Sequence, residues 1–212
     1  MNSIDPVAIY QLRIYVKGIS PMVWRRILVR GDTTIADLHE IMQILMNWND
    51  VYLHHFLIRG KRYGIGRIGT MGFMDNPYKI TLNHFQFRLN ETFVYEYNYF
   101  DDWQLQIRIE AKSPFNPQCV YPYCSDGKRS APLEDCGGAW HFMELKQHYS
   151  PFFILERLQT ILSDPDLEET RWDYVEEFKQ LHYWLNIDRL DRHQVNQKLK
   201  EHFEVQVEEN IR

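Results

Sequence analysis

The sequence predicts an α+β fold: a β-grasp-like mixed sheet with one packed helix, followed by a helical C-terminal extension. Three observations lead there. Two alternating apolar segments near the N-terminus are separated by turn residues, a capped amphipathic helix follows them, and after residue 140 the pattern becomes helical. The expected bounds are residues 9–140 for the α+β core and 141–205 for a helical part packed on it as one structural unit.

Ile9–Lys17 alternates, with Ile9, Leu12, Ile14 and Val16 apolar and Gln11, Arg13 and Lys17 among them, as in a half-buried strand. Gly18–Pro21 is turn chemistry, and Val23–Val29 is a second strand rich in β-branched and aromatic residues, so the pair reads as an antiparallel hairpin. Thr34 caps a helix, with Asp37 three residues on as in a capping box. Ile35, Leu38, Ile41, Met42 and Leu45 then recur at helical spacing, and the helix should end near Met46 or Trp48. His55–Ile58 and Lys61–Tyr63 form a third strand turning at Gly60. Gly64–Tyr78 is a long loop, Lys79–Leu82 a short strand, and Phe93–Tyr97 and Leu105–Glu110 two more strands. Ser113–Gly138, rich in Pro, Gly and Cys, has no period and reads as irregular. Helices are expected over Phe142–Leu145, Pro151–Leu162, Arg171–Leu185 (Trp172, Val175, Phe178, Leu181 and Leu185 on one stripe) and Asp188–Phe203, with Asp164-Pro165 ending the second.

Composition narrows the function. The chain has 212 residues, 44% hydrophobic and 15% aromatic, enough for a large core and too apolar for a solvated disordered chain. A net charge of −5 argues against a strongly basic nucleic-acid binder. No apolar run approaches about 18 residues, so no membrane contact is expected. Met1–Pro6 lacks the basic and apolar parts of a signal peptide. Together with three scattered Cys, which make no disulfide framework, this predicts a cytoplasmic protein.

The ordered landmarks IYQLRIYVKG, PMVWRRILV, DTTIADLHEIMQILMNWND, LHHFLIRGKRYG, KITL, FVYEYNYFDDWQLQIRIE, APLEDCGG and RLDRHQVNQKL resemble the plasmid pRiA4b ORF-three-like family from Ile9 to about Leu199. The resemblance implies a compact α+β domain with a β-grasp-like core, and no reaction. Members occur on plasmids and beside mobile elements, some as passenger proteins of insertion sequences, which is an association and not a mechanism. The chain departs from the family pattern Tyr-Asp-Phe-Gly-Asp-x-Trp-x-His: Asn98 replaces the first Asp, Phe100 the Gly and Leu105 the His. Ala131 stands for the family's Cys, and Leu133 for its second Pro.

The residues that could carry chemistry cluster in two runs. Asp101 and Asp102, with Trp103, can hold a divalent cation or divide acid and base roles. Equally, they can brace a turn by accepting backbone amides while Trp103 enters the core. Glu134, Asp135, Gly137 and Gly138 can complete an oxygen-rich site, or form a rigid loop over the sheet. Cys124 and Cys136 with His141 are the candidate zinc ligands, although their spacing fits no standard pattern and buried thiols are the simpler reading. His54 and His55, consecutive on a strand, should face opposite ways, one packed and one solvated; His55 is kept as a binding candidate, while His39 reads as structural. Gly64–Gly69 matches G-x-G-x-x-G but lacks the following helix that a pyrophosphate site needs. Arg25, Arg26, Arg59, Lys61, Arg62 and Arg67 form the only basic concentration, a surface for nucleic acid or two ordinary solvated strands. No cofactor is expected beyond a divalent metal. With no catalytic constellation, the sequence points to a non-catalytic module for a protein partner. Its alternatives are a divalent-metal-dependent hydrolase using the acids and a weak nucleic-acid binder.

Overall fold

The computed structural model describes residues 8–66 and 72–209, the last five in backbone only. Its strands are β1 (Ala8–Val16), β2 (Trp24–Arg30), β3 (His54–Ile58), β4 (Lys61–Tyr63), β5 (Thr92–Tyr97), β6 (Trp103–Pro114) and β7 (Tyr123–Lys128). The helices are α1 (Ile35–Met46), α2 (Gly138–His148), α3 (Pro151–Leu162), α4 (Leu167–Thr170), α5 (Val175–Leu185) and α6 (Arg192–Glu209). The α+β class is as expected.

The strands form one sheet in the order β4-β3-β5-β6-β1-β2-β7. Every pairing is antiparallel, which corrects the expected mixed sheet. The reason is connectivity. A parallel neighbour needs a crossover landing beside its starting strand, whereas α1 leaves β2 and delivers β3 to the far half of the sheet, with β1 and β6 pairing between them.

In β1 the expected alternation holds: Leu12, Ile14 and Val16 are buried and the residues between them half-exposed. Helix α1 starts at the expected box. Thr34 Oγ1 accepts the Asp37 amide at 3.0 Å and Asp37 Oδ2 accepts the Thr34 amide at 2.9 Å. It ends on Asn47, in the left-handed region at φ 51°. One hydrophobic cluster joins Tyr10, Leu12 and Ile14 of the sheet to α1 and onward to Phe142, Ile154, Leu181, Trp184 and Leu199.

Several local expectations differ. Ser113–Gly138 contains β7, whose Tyr-Cys-Ser-Asp-Gly-Lys sequence carries no strand signal. Tertiary partners hold it: β2 on one side and Asn196 of α6 on the other, where Oδ1 accepts the Cys124 amide at 2.7 Å and Nδ2 donates to the Cys124 carbonyl at 3.0 Å. Lys79–Leu82 makes only a single bridge at Thr81 before a 3-10 turn, Leu82–Phe85. The helix expected from Arg171 begins at Val175, leaving Trp172 exposed and burying Trp184 where Leu185 was expected. His54 and His55 are both buried, because each face of β3 is covered: His54 stacks on His39 of α1, and His55 Nδ1 lies 2.6 Å from the Tyr99 hydroxyl on the other side.

The sheet's outer face carries an ion network around Glu110. A register shift at this point of the β1–β6 pairing accompanies it. Glu110 accepts Arg26 Nε at 2.6 Å and Gln11 Nε2 at 3.1 Å, with Arg108 at 3.5 Å and Arg13 at 3.8 Å. The Arg26 guanidinium, first, holds the Glu110 carboxyl below its usual range. A lowered folded-state value means stability that is present above the unfolded carboxylate range and lost as pH falls through the folded value. Glu110→Gln is therefore expected to cost on the order of 1 kcal/mol at neutral pH. Its urea-denaturation midpoint should converge with that of the parent as the solution is acidified below the carboxylate range. A constant gap at all pH values would contradict this.

Candidate functional site

The acidic run forms the turn between β5 and β6. Asn98, at φ 50°, is buried, and its carbonyl accepts the amides of Asp101 (3.0 Å) and Asp102 (2.8 Å). Asp102, at φ 48°, turns outward and accepts Gln104 Nε2 at 3.0 Å. Asp101 Oδ2 accepts the Gly137 amide at 3.0 Å, and Gly138 lies directly against the Asp101 carbonyl. The turn and the 131–138 loop are thus tied to each other, with no cleft between them at this point.

Behind the turn lies an aromatic floor. Trp103 is fully buried and donates Nε1–H to the Glu134 carbonyl at 2.9 Å; Trp48 donates to the Pro132 carbonyl at 3.0 Å and stacks on Tyr97 at 5.0 Å. The Glu134 side chain, 7% exposed, accepts the Tyr97 hydroxyl on Oε1, and the Asn49 amide (3.0 Å) and Nδ2 (2.8 Å) on Oε2. Burial, then the Glu134 carboxylate, pushes the Tyr97 hydroxyl well up. Asp135 faces the Tyr52 hydroxyl and raises it likewise. No three of Asp101, Asp102, Glu134 and Asp135 bring ligand atoms within coordination reach of one another. Gly137 and Gly138, at φ 83° and 81°, open α2 and admit the Asp101 carbonyl.

The candidate zinc ligands do not converge either. Cys124 is buried in β7, and desolvation raises its thiol. Cys136 is pushed up to about 11 by burial first and then by the Asp101 charge, so neither is a thiolate at neutral pH. His141 sits on the exposed side of α2, with Nδ1 3.0 Å from Glu144 Oε2.

Four of the basic candidates are already committed. Arg25 is buried and donates to the Trp24 and Lys128 carbonyls at 2.9 and 3.0 Å; burial lowers its guanidinium to about 10. Arg26 pairs with Glu110, Arg59 with Glu91 at 2.7 Å and Lys61 with Asp75 at 2.5 Å. Arg62 stays at the exposed β4 edge, and Arg67 lies outside the described residues. So does Gly69 of the glycine motif; Gly64 is instead a packing position, where a Cβ would stand 2.8 Å from the Phe73 ring.

Sequence reasoning missed two features. One is a cavity of about 780 Å³ at the β3–β4 edge, lined by Leu57, Ile65, Phe73, Met74 and Tyr99 with His54, Lys61 and Arg62. Met74 is 94% exposed, as is Phe100 (96%), next to Tyr99 in the chain. The other is a group of His39, Asp50 and His54. A buried His on the helix and the first His of a strand were the available signals, but nothing in the sequence says that residues 39 and 54 touch. Burial, then Arg62, holds the neighbouring His55 imidazole below its ordinary range against the pull of Glu96.

Comparison with known proteins agrees with the fold. The family model described as "Plasmid pRiA4b ORF-3-like protein" matches residues 8–171. A protein of Sinorhizobium fredii called "Uncharacterized protein y4hQ" is 27% identical over 138 residues, covering 65% of this chain and 71% of its own. A crystal structure of a protein of unknown function, MM3350 from Methanosarcina mazei Go1, superposes with a TM-score of 0.64 at 31% identity, covering 89% of this chain and 96% of that one.

Proposed function

The chain belongs to the plasmid pRiA4b ORF-3-like family, and on that premise we propose that it is a non-catalytic binding module carried with mobile DNA, which takes a protein partner at the β4 edge of its sheet. The observation that supports this best is the open cavity there. The opposite edge, β7, is closed by α6 through Asn196. Among the described residues strand β4 has no strand paired on its outer side; it presents exposed Lys61 and Arg62 and borders apolar walls of Leu57, Phe73 and Met74. An edge strand beside an apolar pocket suits an extended segment, main chain to main chain, with one apolar side chain inserted. Since Lys61 is held by Asp75, Arg62 is the cation that selects an acidic residue in that segment. Of the two roles the sequence allows these acids, the contacts of Asp101 and Glu134 support bracing of the turn and the loop and so a non-catalytic reading, and the pairing of Arg26, Arg59 and Lys61 removes most of the charge a nucleic-acid surface would need.

A photocrosslinking residue at position 74 tests the reading. It is expected to capture a defined protein from cells that carry the gene, and Arg62→Glu is expected to reduce the yield at least tenfold, a like-charge reversal worth more than about 1.4 kcal/mol. Capture of nothing, or equal capture by the Arg62→Glu protein, would overturn it.

A further inference from the structure

We propose that His39, Asp50 and His54 form a site for one divalent transition metal of the zinc class, between α1 and β3. This does not rest on the protein partner proposed above, although His54 also lines that cavity, and it shares no residue with the 98–102 turn. One ligand atom from each residue lies within 4.8 Å of the other two, the only such group of three His, Cys, Asp or Glu among the described residues. His39 Nε2 is 2.9 Å from Asp50 Oδ1, and the two imidazoles lie face to face with centroids 3.5 Å apart and planes within 8°.

The surroundings are those of a supported ligand set. On its other side His39 Nδ1 is 2.8 Å from the Tyr95 hydroxyl, which also receives Gln43 Nε2 at 2.8 Å; Gln43 Oε1 in turn accepts the Asp50 amide at 3.0 Å. One buried network therefore orients both the imidazole and the carboxylate. Asp50 can only accept, so Nε2–H points at its Oδ1 while Nδ1 accepts the Tyr95 hydroxyl; a metal on Nε2 would take the place of that proton between the same two residues, and outer partners of this kind fix metal-binding histidines. Asp50 holds its carboxylate there from a left-handed backbone, φ 53°. His54 is tied to the loop after β4, where its Nε2 accepts the Ile65 amide at 3.3 Å.

The donor set names the metal class. Two imidazoles and a carboxylate suit zinc, iron(II) or cobalt(II) rather than calcium or magnesium, which take oxygen. Donor atoms on a tetrahedral zinc stand about 3.4 Å apart, given bonds of about 2.1 Å. The set must close by roughly 1 Å, and the His54 ring must turn out of its stack on His39 and release the Ile65 amide, which occupies its one ring lone pair. Access exists on two sides: the Asp50 side chain is 38% exposed, and His54 lines the 780 Å³ cavity. Three protein ligands leave a position for water.

Cobalt(II) titration of the full chain tests this, read by visible absorption and by melting temperature. One saturable equivalent is expected, with a nitrogen- and oxygen-type spectrum and a higher melting temperature, since a ligand that binds only the folded chain stabilises it. Asp50→Asn and His54→Gln should each weaken binding at least about tenfold. His39→Gln sits at a fully buried position and is the variant at risk of misfolding, so the other two carry the test. Each is first shown to keep the parent's cooperative unfolding without metal. The absence of binding, unchanged affinity in both variants, or a thiolate-to-cobalt charge-transfer band would each overturn the proposal, the last by placing the ion on cysteine.

Discussion

Gly138→Ala is expected to lose on the order of 4 kcal/mol of stability, a fall of roughly 10 °C in melting temperature for a chain of this length. Two costs combine. At φ 81° an L side chain meets its own backbone, worth about 1–2 kcal/mol. The larger part is contact: the added Cβ would lie against the Asp101 carbonyl oxygen, closer than a Cβ can approach, and 3.2 Å from the carbonyl carbon. That oxygen is backbone, held by a turn whose amides are bonded to Asn98, so it cannot swing away as a side-chain tip would. Either α2 or the turn must move, and the 3.0 Å bond from the Gly137 amide to Asp101 breaks with it. Gly60→Ala is the control. Its φ is 79° but nothing lies within 4 Å, so only the backbone cost of about 1–2 kcal/mol remains. Urea denaturation of the two variants separates strain from overlap; equal losses would show that the approach of Gly138 to Asp101 does not matter.

Such positions also mark how far the sequence could be read. β1 was legible because Leu12, Ile14 and Val16 alternate and local pattern coincides with burial; α1 was legible because its capping box is a contact within four residues. Strand β7 was not, since its pairing depends on β2 and on Asn196, about 70 residues away, and its own Asp-Gly argues for a turn. Nor was the pairing of β1 with β6, which decides that the sheet is antiparallel. Within the site, turn chemistry predicts that Asp101 accepts a backbone amide nearby in the chain; it does accept a backbone amide, but that of Gly137. Its exact partner, 36 residues on, is a tertiary fact. His39 illustrates the opposite case. Alone on a helix face it reads as a core histidine, and only the seating of α1 on β3 brings it against His54 and makes its chemistry visible.

Glu134→Ala is expected to cost about 3 kcal/mol at neutral pH, because the penalty falls on the groups left behind more than on the bonds removed. The Tyr97 hydroxyl, the Asn49 amide and Asn49 Nδ2 all lose their acceptor, and Tyr97 is completely buried. Tyr97 can still be an acceptor for the Val51 amide at 3.1 Å, but its own proton has nowhere to go except water entering from the cavity of about 650 Å³ that Glu134 lines. That entry tempers the loss and keeps it below the several kcal/mol of a sealed, unpaired group. Glu134→Gln should cost less, roughly 1–2 kcal/mol, since the amide keeps one oxygen acceptor while its NH2 opposes either Tyr97 or Asn49. The order alanine worse than glutamine worse than parent, measured by urea denaturation with an unchanged m-value, is the expected outcome. It discriminates between a bracing and a reactive Glu134. A carboxylate kept for a reaction is commonly replaceable without loss of stability, or even with a gain, whereas one that fastens the 131–136 loop over Trp48, Tyr97 and Trp103 must destabilise the chain when removed. A Glu134→Ala protein as stable as the parent would return Glu134 to the reactive class and reopen the hydrolytic reading.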